Sequence, residues 1–300
     1  MTNSDLITRF EAFLLTEKRV SQNTFSAYKN DLQQFLAYLQ ANSFEIVSIG
    51  SQEIKNFLAI LKEQNVSPQS ISRKISTLKT FFKYLANRFD ITDKAHELLF
   101  PKTEKKLPHY LNEEEVELLL QMASNDNTLL GVRNKVMIYL MYVTGMRVSE
   151  LVMLKTSDVQ LDTGMVLIAG KGGKQRIVPL AMHIMTILVD YMQYTRISLL
   201  KNNSSPYLFA TVYAHKPKPL SRQSFWNIIK DLWKKCGKSS VISPHQLRHS
   251  LATHMLKHGA DLRSLQLWLG HENLSTVQIY THVEKSHLRT IYDKKHPRSQ

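Results

Sequence analysis

Residues 159–180 read VQLDTGMVLIAGKGGKQRIVPL, and the hydrophobic period of the chain changes there. Met165-Val166-Leu167-Ile168 and Arg176-Ile177-Val178-Pro179-Leu180 are short runs rich in strand formers, and Leu161-Asp162-Thr163-Gly164 before them resembles a turn. Between the runs stands Gly170-Lys171-Gly172-Gly173-Lys174-Gln175, a glycine-rich connection. The reading is a small β-hairpin that carries Lys171 in its loop. Everything around it has helical spacing, so the expected fold is mainly α with a small β-sheet.

Upstream, residues 1–100 repeat apolar side chains at three- and four-residue spacing: Leu6, Phe10, Phe13, Leu14; then Tyr28, Leu32, Phe35, Leu36, Leu39; then Ile54, Phe57, Leu58, Leu61. Ser67-Pro68 reads as an N-cap followed by proline at the first helical position. The helix it opens carries Ile71, Ile75, Leu78, Phe82 and Leu85 on one face and Arg73, Lys74, Lys79 and Lys83 on the polar one. Residues 101–110, PKTEKKLPHY, break the pattern as an exposed linker would. A new helix is expected after Asn112, with Glu113, Glu114 and Glu115 in its acidic first turn. These signals divide the chain into a helical domain at 1–104, a linker at 105–110 and a second domain at 111–300. Downstream of the hairpin, helical spacing is expected to the end.

The 300 residues suit two domains. Lys and Arg number 39 against 25 Asp and Glu, a formal charge of +14 that favours a polyanionic partner. Residues 1–100 have 12 basic and 10 acidic side chains, and residues 101–300 have 27 and 15, so the second part holds most of the excess. The lone Cys236 excludes an intramolecular disulfide and a cysteine-rich zinc site and suits a reducing compartment. No stretch approaches the ~20 apolar residues of a membrane span, and the N-terminus does not read as a signal peptide. A cytoplasmic protein is expected.

Four segments carry candidate chemistry. In Ser243-Pro244-His245-Gln246-Leu247-Arg248-His249, Ser243 caps, Pro244 opens the helix and Gln246 completes a capping box. His245 and Arg248, three apart, share a face at the helix N-terminus, where an anion is favoured. In Thr144-Gly145-Met146-Arg147-Val148-Ser149-Glu150-Leu151, Gly145 permits a tight turn and Glu150 can hold the Arg147 guanidinium. Gly270 looks like a helix-ending glycine, which puts His271 in a turn and Tyr280 on the next short helix. Lys171 in the hairpin is the fourth, and no Ser or Thr follows it as a nucleotide-binding P-loop requires. Singly, each has a plain structural alternative: a satisfied histidine, a surface ion pair, a core tyrosine, a solvated lysine.

Taken in order and spacing, TGMRVSEL (144–151), GKGGKQRIVPL (170–180), SPHQLRHSLATH (243–254) and LGHENLSTVQIYTH (269–282) resemble the tyrosine recombinases, also called phage-integrase-type recombinases. The length and the ending Lys295-His296-Pro297-Arg298 resemble the Xer-type resolvases of that family, on the XerD side. The resemblance implies a SAM-like core-binding N-terminal domain and a catalytic domain that grip double-stranded DNA as a C-shaped clamp. It implies Tyr280 as nucleophile, with Arg147, Lys171, His245, Arg248 and His271 as its catalytic companions. It also implies a 3′-phosphotyrosyl intermediate, with no metal, nucleotide or other cofactor. The partners implied are a dif-like DNA site, a XerC-like recombinase in a two-plus-two heterotetramer and an FtsK-like DNA translocase. The last helix, about residues 287–295, is the expected docking element. Arg73, Lys74, Lys79, Lys83, Lys174 and Arg222 are the expected further DNA contacts.

Other readings compete. His245/His249 and His254/His258 have the four-residue spacing of metal-binding pairs on a helix, but Gln246 stands where a zinc protease has Glu. A helix-turn-helix binder over residues 261–280 would explain the charge but not the Arg147, Lys171 and Arg248 spacings. A phage, transposon or plasmid integrase would share the chemistry.

Overall fold

A computed structural model describes residues 1–101, 110–170, 174–201 and 203–270. Lys171, His271, Tyr280, all of the linker but Tyr110, and the expected last helix lie outside the described residues. The chain divides into two compact units, Met1–Lys106 and Leu107–Gln300.

Among the described residues the first unit holds four helices: α1 (Asn3–Thr16), α2 (Gln22–Ala41), α3 (Ser51–Glu63) and α4 (Pro68–Phe89). Side-chain caps start three of them: Thr2, Ser21 and Ser67 accept from the backbone N–H three residues on. The periodic apolar positions meet in one core of Leu6, Phe10, Leu32, Phe35, Phe57 and Phe82. Phe35 lies 5.2 Å from Phe57, and Phe10 lies 5.2 Å from Phe81, both between ring centroids.

The basic stripe of α4 requires correction at Lys74. That side chain is only 4% exposed and donates to Asp31 Oδ1 at 2.9 Å and Gln34 Oε1 at 2.7 Å. Asp31, itself buried on α2, also accepts from Arg73 Nη1 (2.5 Å) and from the Thr77 hydroxyl (3.0 Å). A lysine between two helices must be paired, since an unpaired ammonium is too expensive to bury. Lys74 therefore knits α2 to α4 rather than facing outward. Arg73 and Lys83 are exposed, whereas Lys79 is half-buried, donates to the His96 carbonyl at 3.0 Å and lies over the Phe100 ring.

The second unit contains α5 (Glu113–Ser124), α6 (Leu129–Thr144), α7 (Val148–Met153), α8 (Met182–Asp190), α9 (Arg196–Leu200), α10 (Arg222–Lys235), α11 (Pro244–Lys257) and α12 (Leu262–Leu269). Asn112 caps α5 as expected, and Glu115 returns the bond to the Asn112 N–H. α6 is apolar on most of its circumference; Val136, Met137, Ile138, Leu140 and Met141 are all buried, which makes it the central helix of this unit.

The expected hairpin is present, its second strand shifted by one residue from the expected 176–180. β2 (Met165–Ala169) pairs antiparallel with β3 (Gln175–Pro179), and a two-residue strand β1 (Val159–Gln160) adds to the other edge of β2. Helical spacing does not run unbroken beyond it. β4 (Ala210–Tyr213) and β5 (Lys216–Pro219) form a second two-stranded sheet. The turn residues, Ala214 and His215, take positive φ values of 48° and 60° without glycine. Two prolines and two lysines in β5 hide it from a propensity reading. No described helix is long and apolar enough to cross a membrane.

Candidate active site

α6 ends at Gly145, whose φ of +60° is the left-handed cap that glycine adopts most readily. A Cβ there would sit 2.6 Å from Leu269 Cδ2 and 2.8 Å from Leu251 Cδ2. Gly145→Ala is expected to destabilise the second unit by about 2–4 kcal/mol, combining left-handed strain with overpacking. Chemical unfolding checks this; a loss below about 0.5 kcal/mol would mean that the turn relaxes.

Two residues on, Arg147 caps the six-residue α7. Its backbone N–H donates to Glu150 Oε2 and its Nη1 to Oε1, both at 2.8 Å. Glu150 thus holds the guanidinium, as its spacing suggested. The same carboxylate accepts from Arg176 Nη2 at 2.7 Å. Burial pushes the Glu150 carboxyl up, but the hydrogen bonds from Arg176 and the Arg147 N–H outweigh it and leave the group below the usual carboxylate range. Glu150 is a carboxylate at neutral pH.

α11 brings the next pair. Its first turn is fixed by Pro244 and by Gln246, whose Oε1 accepts from the Ser243 N–H at 2.6 Å. Arg248 is 4% exposed and donates Nη1 to the Gly145 carbonyl and Nη2 to the Leu269 carbonyl at 2.7 Å. One guanidinium therefore joins the C-terminal ends of α6 and α12. Burial, then the positive charges of Arg248 and Arg147, hold the His245 imidazole below its ordinary pKa. The positive charges of both arginines bear on this histidine, and His245 is neutral at pH 7. His249 stacks on it at 5.6 Å and is lowered by burial first, then by His245 and Arg248.

The other histidine pair is occupied elsewhere. Burial and the nearby Glu113 and Glu117 push the Tyr142 phenol up to about 12, so it stays protonated; its hydroxyl shares a hydrogen bond with His254 Nδ1 at 2.9 Å. His258 lies 3.3 Å from Glu113. Among the described residues no group of three or more His, Cys, Asp or Glu is arranged to hold a metal.

The hairpin closes through the Gly170 N–H, which donates to the Lys174 carbonyl at 2.7 Å. Lys171 falls between these two residues in the sequence and outside the described residues. Lys174 and Arg222, the first residue of α10, are exposed. Gly270 ends α12 in the left-handed conformation, its N–H donating to the Gln266 carbonyl at 2.8 Å. The segment with His271 and Tyr280 follows. Arg176 was not anticipated from sequence. It lies on the inward face of β3 with buried Val178, while Ile177 between them is 61% exposed. A charged residue on the buried face of a strand was the available signal.

The phage integrase family model matches residues 109–287, and the N-terminal SAM-like domain of phage integrases matches residues 7–88. The chain is 43% identical to tyrosine recombinase XerD of Oceanobacillus iheyensis over 295 residues, 97% of each chain. It is 40% identical to tyrosine recombinase XerD of Listeria innocua over 300 residues, 99% of this chain and all of the other. Among solved structures, XerH site-specific recombinase bound to palindromic difH substrate in a post-cleavage complex superposes with a TM-score of 0.73 at 26% identity, covering 90% of this chain and 79% of the other. XerA recombinase gives 31% identity and a TM-score of 0.55 over 99% of both.

Proposed function

Because the chain belongs to the phage integrase family and is a tyrosine site-specific recombinase, we propose that it resolves chromosome dimers at a dif-like site in the cytoplasm, ahead of cell division. What supports the site reading is that Glu150 holds Arg147, that the carbonyls of Gly145 and Leu269 hold Arg248, and that the charges of both arginines bear on His245.

The chemistry follows from these groups. The Tyr280 oxygen attacks the scissile phosphorus, its proton leaves, and the 5′-oxygen departs with a proton of its own. The product is a 3′-phosphotyrosyl bond, which a 5′-hydroxyl from another strand reverses. Arg147 and Arg248 stabilise the charge that gathers on the nonbridging oxygens, through forked N–H donors. A phenol has an ordinary pKa of about 10 and needs a base. His245, held neutral by its surroundings, accepts that proton. Lys171 protonates the leaving oxygen, and His271 positions the phosphate. Because the covalent bond conserves the phosphodiester energy, no nucleotide is consumed.

The assembly proposed is two copies of this chain with two of a XerC-like recombinase on paired DNA duplexes, under control of an FtsK-like translocase. Arg73, Lys79, Lys83, Lys174 and Arg222 are proposed as phosphate contacts; Lys74 is withdrawn because it is buried and paired. Lys83→Gln is expected to lower the slope of log affinity against log salt concentration by about 0.9, and Lys74→Gln to leave it unchanged. DNA titrations at several salt concentrations read both.

The test of function is a nicked suicide DNA carrying a dif-like site, incubated with the full chain without metal ions or ATP. A protein–DNA adduct on a denaturing gel, with the nucleotide mapped to Tyr280 by mass spectrometry, is the expected result. Should the chain alone form none, a XerC-like partner and an FtsK-like translocase are added. No adduct then, or one at another residue, overturns the reading.

A further inference from the structure

Arg176 occupies a place that the sheet gives elsewhere to aliphatic residues. It stands opposite Ile168 in the β2–β3 register, beside buried Val166, Ile168 and Val178. Its side chain is only 9% exposed. Nη2 donates to Glu150 Oε2 at 2.7 Å, while Nε is shut off from solvent with no partner among the described residues. A guanidinium is unfavourable in such a setting unless its position serves something that an aliphatic side chain could not.

Its neighbours say what that is. Glu150 is the carboxylate that holds Arg147, whose own side chain is 40% exposed and has little packing to fix it. With one arginine, the Arg147–Glu150 pair would be neutral; with Arg176 the trio keeps a net positive charge beside the phosphate site. On its other side Arg176 lies against Gly270: a Cβ there would come 3.3 Å from Arg176 Cδ and 3.5 Å from Nη1. Gly270 is the last residue before His271. One side chain thus touches Glu150, which holds Arg147, and lies against Gly270, which ends α12.

We propose that Arg176 is a positioning residue for strand transfer, which keeps Arg147 aimed through Glu150. It need not touch DNA. The inference rests on the recombinase reading above and adds a residue to it.

The experiment measures single-turnover cleavage of the suicide DNA and, separately, affinity for the same DNA. Arg176→Met, close in shape and uncharged, is expected to slow cleavage by about 10- to 100-fold while affinity stays within about threefold. Arg176→Lys, which restores the charge but offers Glu150 a single donor, is expected to recover part of the rate. The discriminating arm is a double-mutant cycle: Arg147→Ala with Arg176→Met should be no slower than Arg147→Ala alone, because the second residue acts through the first. Additive losses would overturn the proposal, as would a folded Arg176→Met that cleaves at the wild-type rate. If Arg176→Met fails to fold, Arg176→Lys decides: slower cleavage at unchanged affinity supports the role, and a wild-type rate overturns it. A wild-type chain that forms no adduct, even with both partners, removes the recombinase reading and this role together. An adduct with indifferent variants removes this role alone.

Discussion

Tyr280→Phe is expected to retain DNA affinity within about fivefold, the worth of one hydrogen bond, and to lose covalent capture by more than about 10⁴-fold. The substitution removes one oxygen and keeps the ring, so packing around position 280 is nearly conserved. In the proposed reaction this oxygen is the atom that bonds to phosphorus. The gel readout is therefore close to all or none, and it separates a strand-transfer enzyme from a DNA-binding protein of the same charge. Residual adduct at a tenth of the wild-type level would point to another nucleophile.

Arg248→Ala is expected to fail in two ways at once. Stability falls by about 3–5 kcal/mol, because the carbonyls of Gly145 and Leu269 are left buried without a donor. Cleavage by the fraction that folds falls by about 10²–10³-fold, the loss typical of one preorganised donor at a developing oxyanion. Arg248→Lys separates the two: an ammonium can reach one carbonyl but cannot fork between two, so stability returns in part and cleavage little. Unfolding curves and single-turnover rates on the same preparations measure both. A folded Arg248→Ala with wild-type cleavage would remove this arginine from the site.

Much of this was legible in the sequence because local chemistry and tertiary outcome agree. Asn112, Ser67-Pro68, Gly145 and Gly270 mark helix ends with groups that satisfy orphan backbone donors or adopt left-handed φ. The Arg147–Glu150 pair followed from a three-residue spacing. What escaped depends on long-range contacts. Lys74 has the spacing of a surface stripe, and only the arrival of Asp31 from α2 turns it inward. Arg176 gains its meaning from Glu150, 26 residues away, and from Gly270, on a different element. The β4–β5 pair is made by register and covered by packing, not by strand-forming composition.

That second sheet has a consequence of its own. The Leu220 N–H donates to the Phe209 carbonyl. In an antiparallel ladder bonded and non-bonded pairs alternate, so the 210–219 and 212–217 pairs turn their backbone groups outward. On β5 those two outward positions are Pro219 and Pro217, which have no N–H to offer. β4 is packed against α9. The outer margin of β5 therefore presents no donor row on which a foreign extended chain could template itself, and the flanking Lys216 and Lys218 repel one another's counterparts on a second copy. At this ribbon the chain is therefore protected from zipping into a cross-molecular sheet.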